Sequence, residues 1–338
     1  MRRLPLFCIG IHLFTACGDD GMVEGGASTE AGTDGGDASS DTTGAGGLLE
    51  VYDLEGDALF PEGIAFDPVG QAFFVGSLED GSIHRISAEG TQGLFSAGLA
   101  GNWSTAGLAV DADARRLWAC SSEVDQRTAA IWVFNLATGD LEEIFELTDH
   151  AEGAGCNDVA LDASGVAFVS DPPLGSIHRI EAGGAAEVWA TDETFAPEVG
   201  PLGLNGLAVT PDGSHLIVAK FLPARLFRIS LADPSNFVQV ELSGDPFVGG
   251  APTAGADGIA FNGDALWVTF ADDVKRVDFD ATWASGTVTA FPVPGAGNGL
   301  STAAEANGVI YVVKSEVTAW VLGREPDLPF QIIRVPGS

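Results

Sequence analysis

Four oxygen-bearing side chains open the same short motif at four places in the chain. The motif is one residue followed by Gly or Asp and an apolar run, and its clear copies read EGIAFD, AGLAVD, NDVALD, NGLAVT and DGIAFN. Four of these copies begin with Glu62, Asn157, Asn205 and Asp257. Two carboxylates and two amide carbonyls are hard oxygen ligands of the kind that Ca²⁺ takes in proteins. Zinc and copper are less natural here, since no His or Cys stands at these positions.

The same residues have a simpler interpretation as turns. Asn-Gly and Asp-Gly are among the commonest turn dipeptides, so the pairs that begin at Asn205 and Asp257 would, taken alone, indicate a change of chain direction. Register argues against turns, because turn chemistry would not exchange Glu, Asn and Asp at one fixed position of a motif. The equivalent positions of two other copies carry Ala106 and Thr302. The metal site therefore depends on whether the copies are equivalent in space.

An internal repeat makes the copies equivalent. The hexapeptide GSIHRI occurs at 81–86 and at 175–180, and this offset of 94 residues corresponds to two units of 47. The motif starts are separated by 44, 51, 48 and 52 residues, and a weaker sixth copy, TAAEAN, follows after 45. Each copy is followed by a turn signal, two more apolar runs rich in β-branched and aromatic residues, and a more variable fourth, as in antiparallel strands. Six such units predict an all-β fold, a six-bladed β-propeller.

The ends of the repeat region predict how the ring closes. LLEVYDL at 48–54 precedes the first unit and FQIIRV at 330–335 ends the last. We expect one or both to complete the final blade, because closure removes an unpaired sheet edge. The third run of the sixth unit is expected at TAWV, 318–321. The predicted propeller spans 49–338, and the first strand of each blade lies innermost, so that the motif starts ring the mouth of the central channel.

A second ring is expected where the second strands return to the same mouth. In chain order its positions hold Ser77, Ser121, Asp171, Lys220, Phe270 and Lys314. We expect Lys220 and Lys314, two of only three lysines in the chain, to meet an anionic or carbonyl-bearing substrate beside the metal, with Asp171 and Phe270 next to them. The alternative is that both lysines neutralise acids on a very acidic protein.

The N-terminus indicates export and a lipid anchor. Two arginines precede an apolar run at 4–14, which ends at Thr-Ala-Cys17 and is too short for a bilayer-spanning helix of ~20 residues. Residues 1–17 resemble a bacterial lipoprotein signal with Cys17 as the lipidation site, and the alternative is a secretory signal cut near Ala16. Residues 18–48 are almost all Gly, Ser, Thr, Ala and acid and predict a flexible acidic tether. We expect an extracytoplasmic protein, lipid-anchored to a bacterial membrane.

Charge and cysteine content bound the function further. The formal net charge is −33, and with no basic stripe a phosphate backbone would be repelled, which excludes nucleic acid as a partner. Cys120 and Cys156 remain once the signal and the lipidated residue are set aside. An exported protein can join two such residues as a disulfide, but the sequence leaves that bond and two free buried thiols both open.

The blade starts PEGIAFD, GCNDVALDASG, LNGLAVTPDG and ADGIAFNGDALWV resemble those of the regucalcin/gluconolactonase family of senescence marker protein-like six-bladed propellers. The similarity runs from about residue 49 to the end of the chain. It implies a divalent ion in the channel, the opening of lactone rings, and Glu62, Asn205 and Asp257 as metal ligands, with Asp257 also the general base. It implies that Asn157 contacts substrate or a metal-bound water, or ligates calcium as in the related paraoxonase-like lactonases. Gly155 departs from the family, whose sugar-lactone hydrolases carry an arginine there.

Two functional hypotheses from different classes follow. The first is a Ca²⁺-dependent hydrolase of lactone or related ester bonds in a small-molecule substrate, in which Asp257 takes a proton as water attacks. No Gly-x-Ser-x-Gly elbow is present to supply a serine nucleophile. The second is a membrane-tethered propeller that binds a ligand or partner and holds a purely structural ion. We expect the histidines of the two hexapeptides, which fall on third strands, to lie away from the metal.

Overall fold

The computed structural model describes residues 47–98, 103–123, 128–147, 153–181, 183–200, 202–250, 254–297 and 299–338. The predicted signal with Cys17 and nearly all of the predicted tether lie outside these ranges. Within them, no helix is long and apolar enough to cross a membrane.

The described residues form six sheets of four or five strands. The first described strand is β1 (Val51–Leu54), which belongs to the sixth sheet. The first sheet contains β2 (Pro61–Asp67), β3 (Ala72–Ser77), β4 (Ile83–Ser87) and β5 (Gln92–Ser96). The second contains β6 (Trp103–Asp111), β7 (Arg116–Glu123), β8 (Thr128–Asn135) and β9 (Leu141–Glu146). The third contains β10 (Val159–Leu161), β11 (Ala167–Asp171), β12 (Ser176–Ile180) and β13 (Glu187–Thr191).

The remaining sheets follow the same plan with two variations. The fourth contains β14 (Leu204–Val209), β15 (His215–Lys220), β16 (Arg225–Ser230) and β17 (Phe237–Gln239). The fifth contains β18 (Glu241–Gly244), β19 (Ile259–Asn262), β20 (Ala265–Phe270), β21 (Asp273–Phe279) and β22 (Ser285–Phe291). The sixth contains β23 (Leu300–Ala306), β24 (Val309–Lys314) and β25 (Phe330–Arg334), with α1 (Val317–Leu322) between the last two. All neighbouring strands pair antiparallel except β18, which adds to β22 in parallel as a fifth strand.

The six sheets are blades around one axis. The innermost strand of each sheet contacts the innermost strand of the next, in the order β2, β6, β10, β14, β19 and β23, and β23 contacts β2 again. This closed circuit of inner strands confirms the predicted all-β, six-bladed β-propeller.

Burial decreases from the axis outward, which explains the sequence pattern within each unit. In the first blade, β2 and β3 are buried at every residue, whereas β5 has no buried residue. Between them, β4 buries Ile83 and Ile86 and exposes Arg85. Inner strands are covered on both faces by neighbouring blades and therefore carry continuous apolar or small residues. The outer strands have no such cover, so their sequences are variable.

Both end segments complete the sixth blade, as predicted. Strand β25 pairs with β24, and β1 pairs with β25 in a register that runs from Val51 opposite Ile333 to Leu54 opposite Phe330. The first strand of the described residues, β1, is therefore the outermost strand of the last blade. Aromatic packing supports the closure, since the rings of Phe60 and Phe330 lie 5.2 Å apart between their centroids.

One strand prediction was wrong. The TAWV run belongs to helix α1, and β25 takes the place of the third strand in the sixth blade. The reason is packing: α1 buries only Ala319, whereas β25 buries Phe330 and Ile332 completely. The helix ends at Gly323, whose left-handed conformation (φ 61°) allows its N–H to bond back to the last turn.

Cys120 and Cys156 form a disulfide, which resolves the alternative that the sequence left open. Their Cα atoms lie 5.4 Å apart. Cys120 lies in β7 of the second blade and Cys156 precedes β10 of the third, so the bond joins two neighbouring blades.

We predict that Phe330→Ala lowers the free energy of unfolding by about 3–5 kcal/mol, the usual loss when a buried phenylalanine is truncated. The ring is fully buried at the seam where the two ends of the chain meet. Chemical denaturation followed by circular dichroism measures the change. Val51→Ala in the same seam is the control, because Val51 is 43% exposed and its truncation should change stability by less than about 1 kcal/mol. Equal losses in both variants would contradict this account of the seam.

Candidate functional site

The four predicted ligands lie at the inner edge of four blades. Glu62 and Asn205 are the second residues of β2 and β14, and both are buried. Asn157 and Asp257 precede β10 and β19 but extend the same ladders, because their N–H groups donate to carbonyls of the second strand at 3.2 and 2.9 Å. All four therefore occupy equivalent places in their blades, as the repeat predicts.

Glycine after Glu62, Asn205 and Asp257 lets the inner strands meet at backbone distance. A methyl group on Gly63, which follows Glu62, would overlap the carbonyl oxygen of Ala106 in the second blade. A Cβ on Gly206 would lie 2.6 Å from the carbonyl oxygen of Asp257, to which the Gly206 N–H donates at 3.3 Å. Each blade start is thus held against the next, which brings the preceding side chains close to one axis.

Three carboxyl groups influence one another at this axis. The pKa of Glu62 lies well above its usual range, mainly because the group is buried and also because the negative charges of Asp257 and Asp158 are near. Burial raises the pKa of Asp257 to about 8, with a further contribution from Asp158, while a hydrogen bond from the Asn205 side chain lowers it. Adding a cation would relieve this repulsion, since a nearby positive charge favours ionised carboxylates.

Two buried oxygens of the ring have no hydrogen-bond partner among the described residues. They are Oε2 of Glu62 and Oδ1 of Asn157. Buried polar atoms are normally satisfied, so such exceptions call for an explanation, and an oxygen-coordinated cation is one. Among the described residues, no group of three or more His, Cys, Asp or Glu side chains is arranged to hold a metal. The donor set that fits an ion is the mixed one, with the carboxylates of Glu62 and Asp257 and the amides of Asn157 and Asn205.

Asp158 belongs to the site but was not among the residues that the sequence motif predicted. It stands in the column that holds glycine after Glu62, Asn205 and Asp257. Its carboxylate accepts the N–H of Val159 at 2.9 Å and the N–H of Leu207, in the next blade, at 3.2 Å. Burial raises its pKa to about 7, although these two hydrogen bonds lower it. One sequence signal could have identified Asp158: it is the one acidic residue at a motif position that holds glycine in the four other clear copies.

The two lysines of the second predicted ring are engaged within the protein. Lys220 is fully buried and donates to the carbonyl oxygen of Thr194 at 2.8 Å and to Glu198 at 2.7 Å. The ammonium of Lys314 lies 3.3 Å from a carboxylate oxygen of Asp327. These ion pairs agree with the alternative of charge neutralisation. Contact with a substrate stays a prediction for both lysines.

Asp171 and Phe270 are also engaged in the interior. Asp171 accepts the N–H of Gly155 at 3.0 Å, and its other oxygen lies 3.2 Å from Nε2 of His178. Phe270 is fully buried and packs edge-on against Phe247 at 5.2 Å between ring centroids. Asp171 thus supports the segment that leads to Asn157, and a direct role for either residue in binding substrate stays a prediction.

The two hexapeptide histidines make contacts along their own blades. His178 meets Asp171, and His84 lies 3.2 Å from Ser82 Oγ and 3.2 Å from the Gln92 side-chain nitrogen. Two surface cavities of 440 and 480 Å³ lie at the opposite ends of the blades. The first is lined by turns between first and second strands, the second also by turns between third and fourth strands, and none of the four donors lines either cavity. Neither cavity therefore belongs to the site at the axis, whereas His178 is linked to it through Asp171, which holds the segment before Asn157.

We predict that the cation-free protein loses stability as pH rises, in part through Asp257. A carboxyl whose pKa is raised in the folded state, here to about 8, stabilises the fold below the unfolded pKa of ~4, and this contribution disappears as pH rises through the folded value. Asp257→Asn cannot ionise. Its unfolding temperature in chelator should therefore fall less between about pH 5 and pH 9 than that of the wild type.

Thermal unfolding followed by circular dichroism across this pH range checks the prediction. Asp264→Asn, which alters an exposed turn residue, is the matched control and should follow the wild-type profile. The prediction fails if the Asp257→Asn profile runs parallel to the wild type.

Comparison with known proteins places the chain in a family. Residues 60–296 match the family described as SMP-30/Gluconolactonase/LRE-like region. This match confirms the resemblance drawn from the blade starts. No curated protein sequence matches the chain.

Solved structures share the fold at low identity. The Malassezia sympodialis allergen Mala s 1 superposes with a TM-score of 0.69 at 16% identity, over 86% of this chain and 97% of the allergen. A calcium-binding protein, regucalcin, from Agrobacterium tumefaciens gives 0.61 at 18%, over 86% and 96%. A gluconolactonase from Xanthomonas campestris gives 0.58 at 20%, over 85% and 89%. These likenesses show the common fold.

Proposed function

Because the chain belongs to the SMP-30/gluconolactonase/LRE-like family, we propose that it is a hydrolase that opens lactone or related ester bonds of a small-molecule substrate. The reaction would depend on a divalent cation, Ca²⁺ by the chemistry of its ligands. One observation carries the proposal: Glu62, Asn157, Asn205 and Asp257 stand at equivalent blade starts around one axis, and two of their buried oxygens have no partner in the described part of the chain. The calcium-binding and gluconolactonase descriptions of two structural relatives agree with it.

The four donors would hold the ion, which when bound polarises a carbonyl and acidifies water. Asp257 has the right properties for the general base. It is a carboxylate in the ring of donors, beside the Asn205 side chain, and a bound cation would keep it ionised and so able to accept a proton. In the proposed reaction Asp257 takes the proton from the attacking water, and Asn157 contacts the substrate beside the ion.

The wall next to Asn157 limits the substrate. A Cβ at Gly155 would lie 2.8 Å from Cδ of Pro173, so this position has no room for a longer side chain. The charge of Lys220 is already paired with Glu198. We therefore propose that the protein recognises the lactone or ester bond itself. Neither position 155 nor Lys220 would supply a cationic group that binds the hydroxyls of a sugar.

Two substitutions test the function. Asp257→Asn should lower kcat by about 10²–10⁴-fold, the contribution typical of a general base. Glu62→Gln should weaken Ca²⁺ binding by at least ~10-fold, because even groups behind the ligands contribute that much to metal affinity. Hydrolysis of a panel of lactones and esters, with Ca²⁺ and with chelator, gives the readout.

Glu241→Gln is the control, because Glu241 is an exposed residue of the outermost strand β18 and its replacement should leave rate and affinity unchanged. If Glu62→Gln hydrolysed substrates at the wild-type rate, the proposal would be wrong. Calcium-dependent stability without turnover of any panel member would instead favour the tethered binding propeller with a structural ion.

We also propose that the protein is extracytoplasmic and anchored to a bacterial membrane through an acylated Cys17. The lipoprotein-like residues 1–17 support this, and the disulfide between Cys120 and Cys156 agrees with an oxidising compartment. Cys17→Ser should move the protein from the membrane fraction to the soluble fraction and abolish incorporation of labelled fatty acid. Cys8→Ser, within the signal, is the control and should leave both unchanged. Retention of the label by Cys17→Ser would contradict the anchor.

A further inference from the structure

The disulfide ends directly beside one of the proposed cation donors. Cys156 immediately precedes Asn157, and its partner Cys120 lies in the middle of β7, where it pairs with Ile131 of β8. Cys120 is fully buried and Cys156 is 8% exposed. The bond therefore fixes the residue before Asn157 to a rigid strand of the neighbouring blade.

Asn157 needs such an anchor more than the donors that lie within strands. Glu62 and Asn205 sit inside strands of 7 and 6 residues. By contrast β10 has only 3 residues and begins at Val159, after Asn157. The other donor outside a strand, Asp257, also has an anchored predecessor, because the N–H of Ala256 donates to the carbonyl oxygen of Phe221 at 3.1 Å.

The backbone must also fix the direction of the Asn157 side chain. Its Oδ1 is buried and accepts no hydrogen bond from any residue that the structure describes, so none of these residues orients this oxygen. What holds the residue is its main chain: its N–H donates to Ser170, and its carbonyl oxygen accepts the N–H of Gly107 at 2.7 Å. The disulfide ties the same short segment to the same second blade that supplies Gly107.

We propose that the Cys120–Cys156 disulfide is a positioning element that holds Asn157 Oδ1 among the cation donors. Its loss weakens cation binding while the propeller stays folded. This inference rests on the cation site of the proposed function. The bond lies within a buried cluster that includes Trp118, Val159 and Val169, so it acts on the local freedom of the segment before Asn157 rather than on closure of the ring.

A double-mutant cycle on Ca²⁺ binding, measured by titration calorimetry on the full chain, tests the inference. Cys120→Ala/Cys156→Ala should raise the Kd for Ca²⁺ by about 10-fold, the lower end of the effect of groups that position metal ligands, equivalent to about 1.4 kcal/mol. The same pair of substitutions in an Asn157→Ala background should raise the Kd no further, because the bond acts through Asn157.

Val133→Ala is the matched control. It truncates a fully buried residue of the same cluster in β8 and leaves the disulfide intact, so it reports general loosening of the second blade, and its Kd should stay at the wild-type value. Circular dichroism verifies folding of each variant. If the cysteine variant does not fold, wild-type protein reduced with dithiothreitol takes its place in the cycle, with the reduced Asn157→Ala variant beside it.

The outcomes separate the inference from the proposed function. The positioning role is wrong if the cysteine variant binds Ca²⁺ with the wild-type Kd. It is also wrong if the cysteine substitutions raise the Kd by the same factor in the Asn157→Ala background as in the wild type. Both conclusions hold even when the wild type binds Ca²⁺ and hydrolyses lactones. An equal loss of affinity in Val133→Ala overturns it as well. If the wild type binds no Ca²⁺, the cation site is wrong, and the proposed function and this inference fall together.

Discussion

The close approach of six inner strands around one axis is the constraint on which the rest of the structure depends. Glycines such as Gly63 and Gly206 allow the backbone of one blade start to touch the next, and hydrogen bonds such as that from Gly107 to the Asn157 carbonyl secure the contact. Because every start is fixed against its neighbour, the side chain at the same position of each blade is brought to the axis. The ring of oxygen donors follows from this packing.

Placing these donors together is unfavourable for the protein alone. Burial raises the pKa values of Glu62, Asp158 and Asp257, and repulsion from neighbouring carboxylates adds to the shifts of Glu62 and Asp257. Two ring oxygens have no hydrogen-bond partner among the residues that the structure describes. The surrounding fold maintains the arrangement through pairing of the two chain ends in the sixth blade and through a disulfide between the second and third. Strained or unsatisfied groups that a rigid framework holds in place are typical of sites that bind something.

Much of this could be predicted from the sequence, and the errors have identifiable causes. The inner strands were predictable because both of their faces are packed, which imposes long apolar runs. The TAWV run is also apolar, but it forms helix α1 and not the third strand of the sixth blade. The reason is that β25 buries larger side chains at that place than the TAWV run does. Lys220 is at the expected position in its strand, but the loop residue Glu198 pairs with it, and no repeat pattern predicts such a loop contact. Asp158 was visible only as an exception in a column of glycines.

The sequence by itself determined the number of blades, the register of the inner strands and the identity of the four residues at their starts. These properties are periodic, and a period can be read wherever a structural unit recurs. Tertiary structure alone decided that Cys120 and Cys156 are bonded, that β25 and not the TAWV run is the third strand of the sixth blade, and that Asp158 joins the carboxylates at the axis. Each of these depends on the distance between residues far apart in the chain, which is set only when the ring closes.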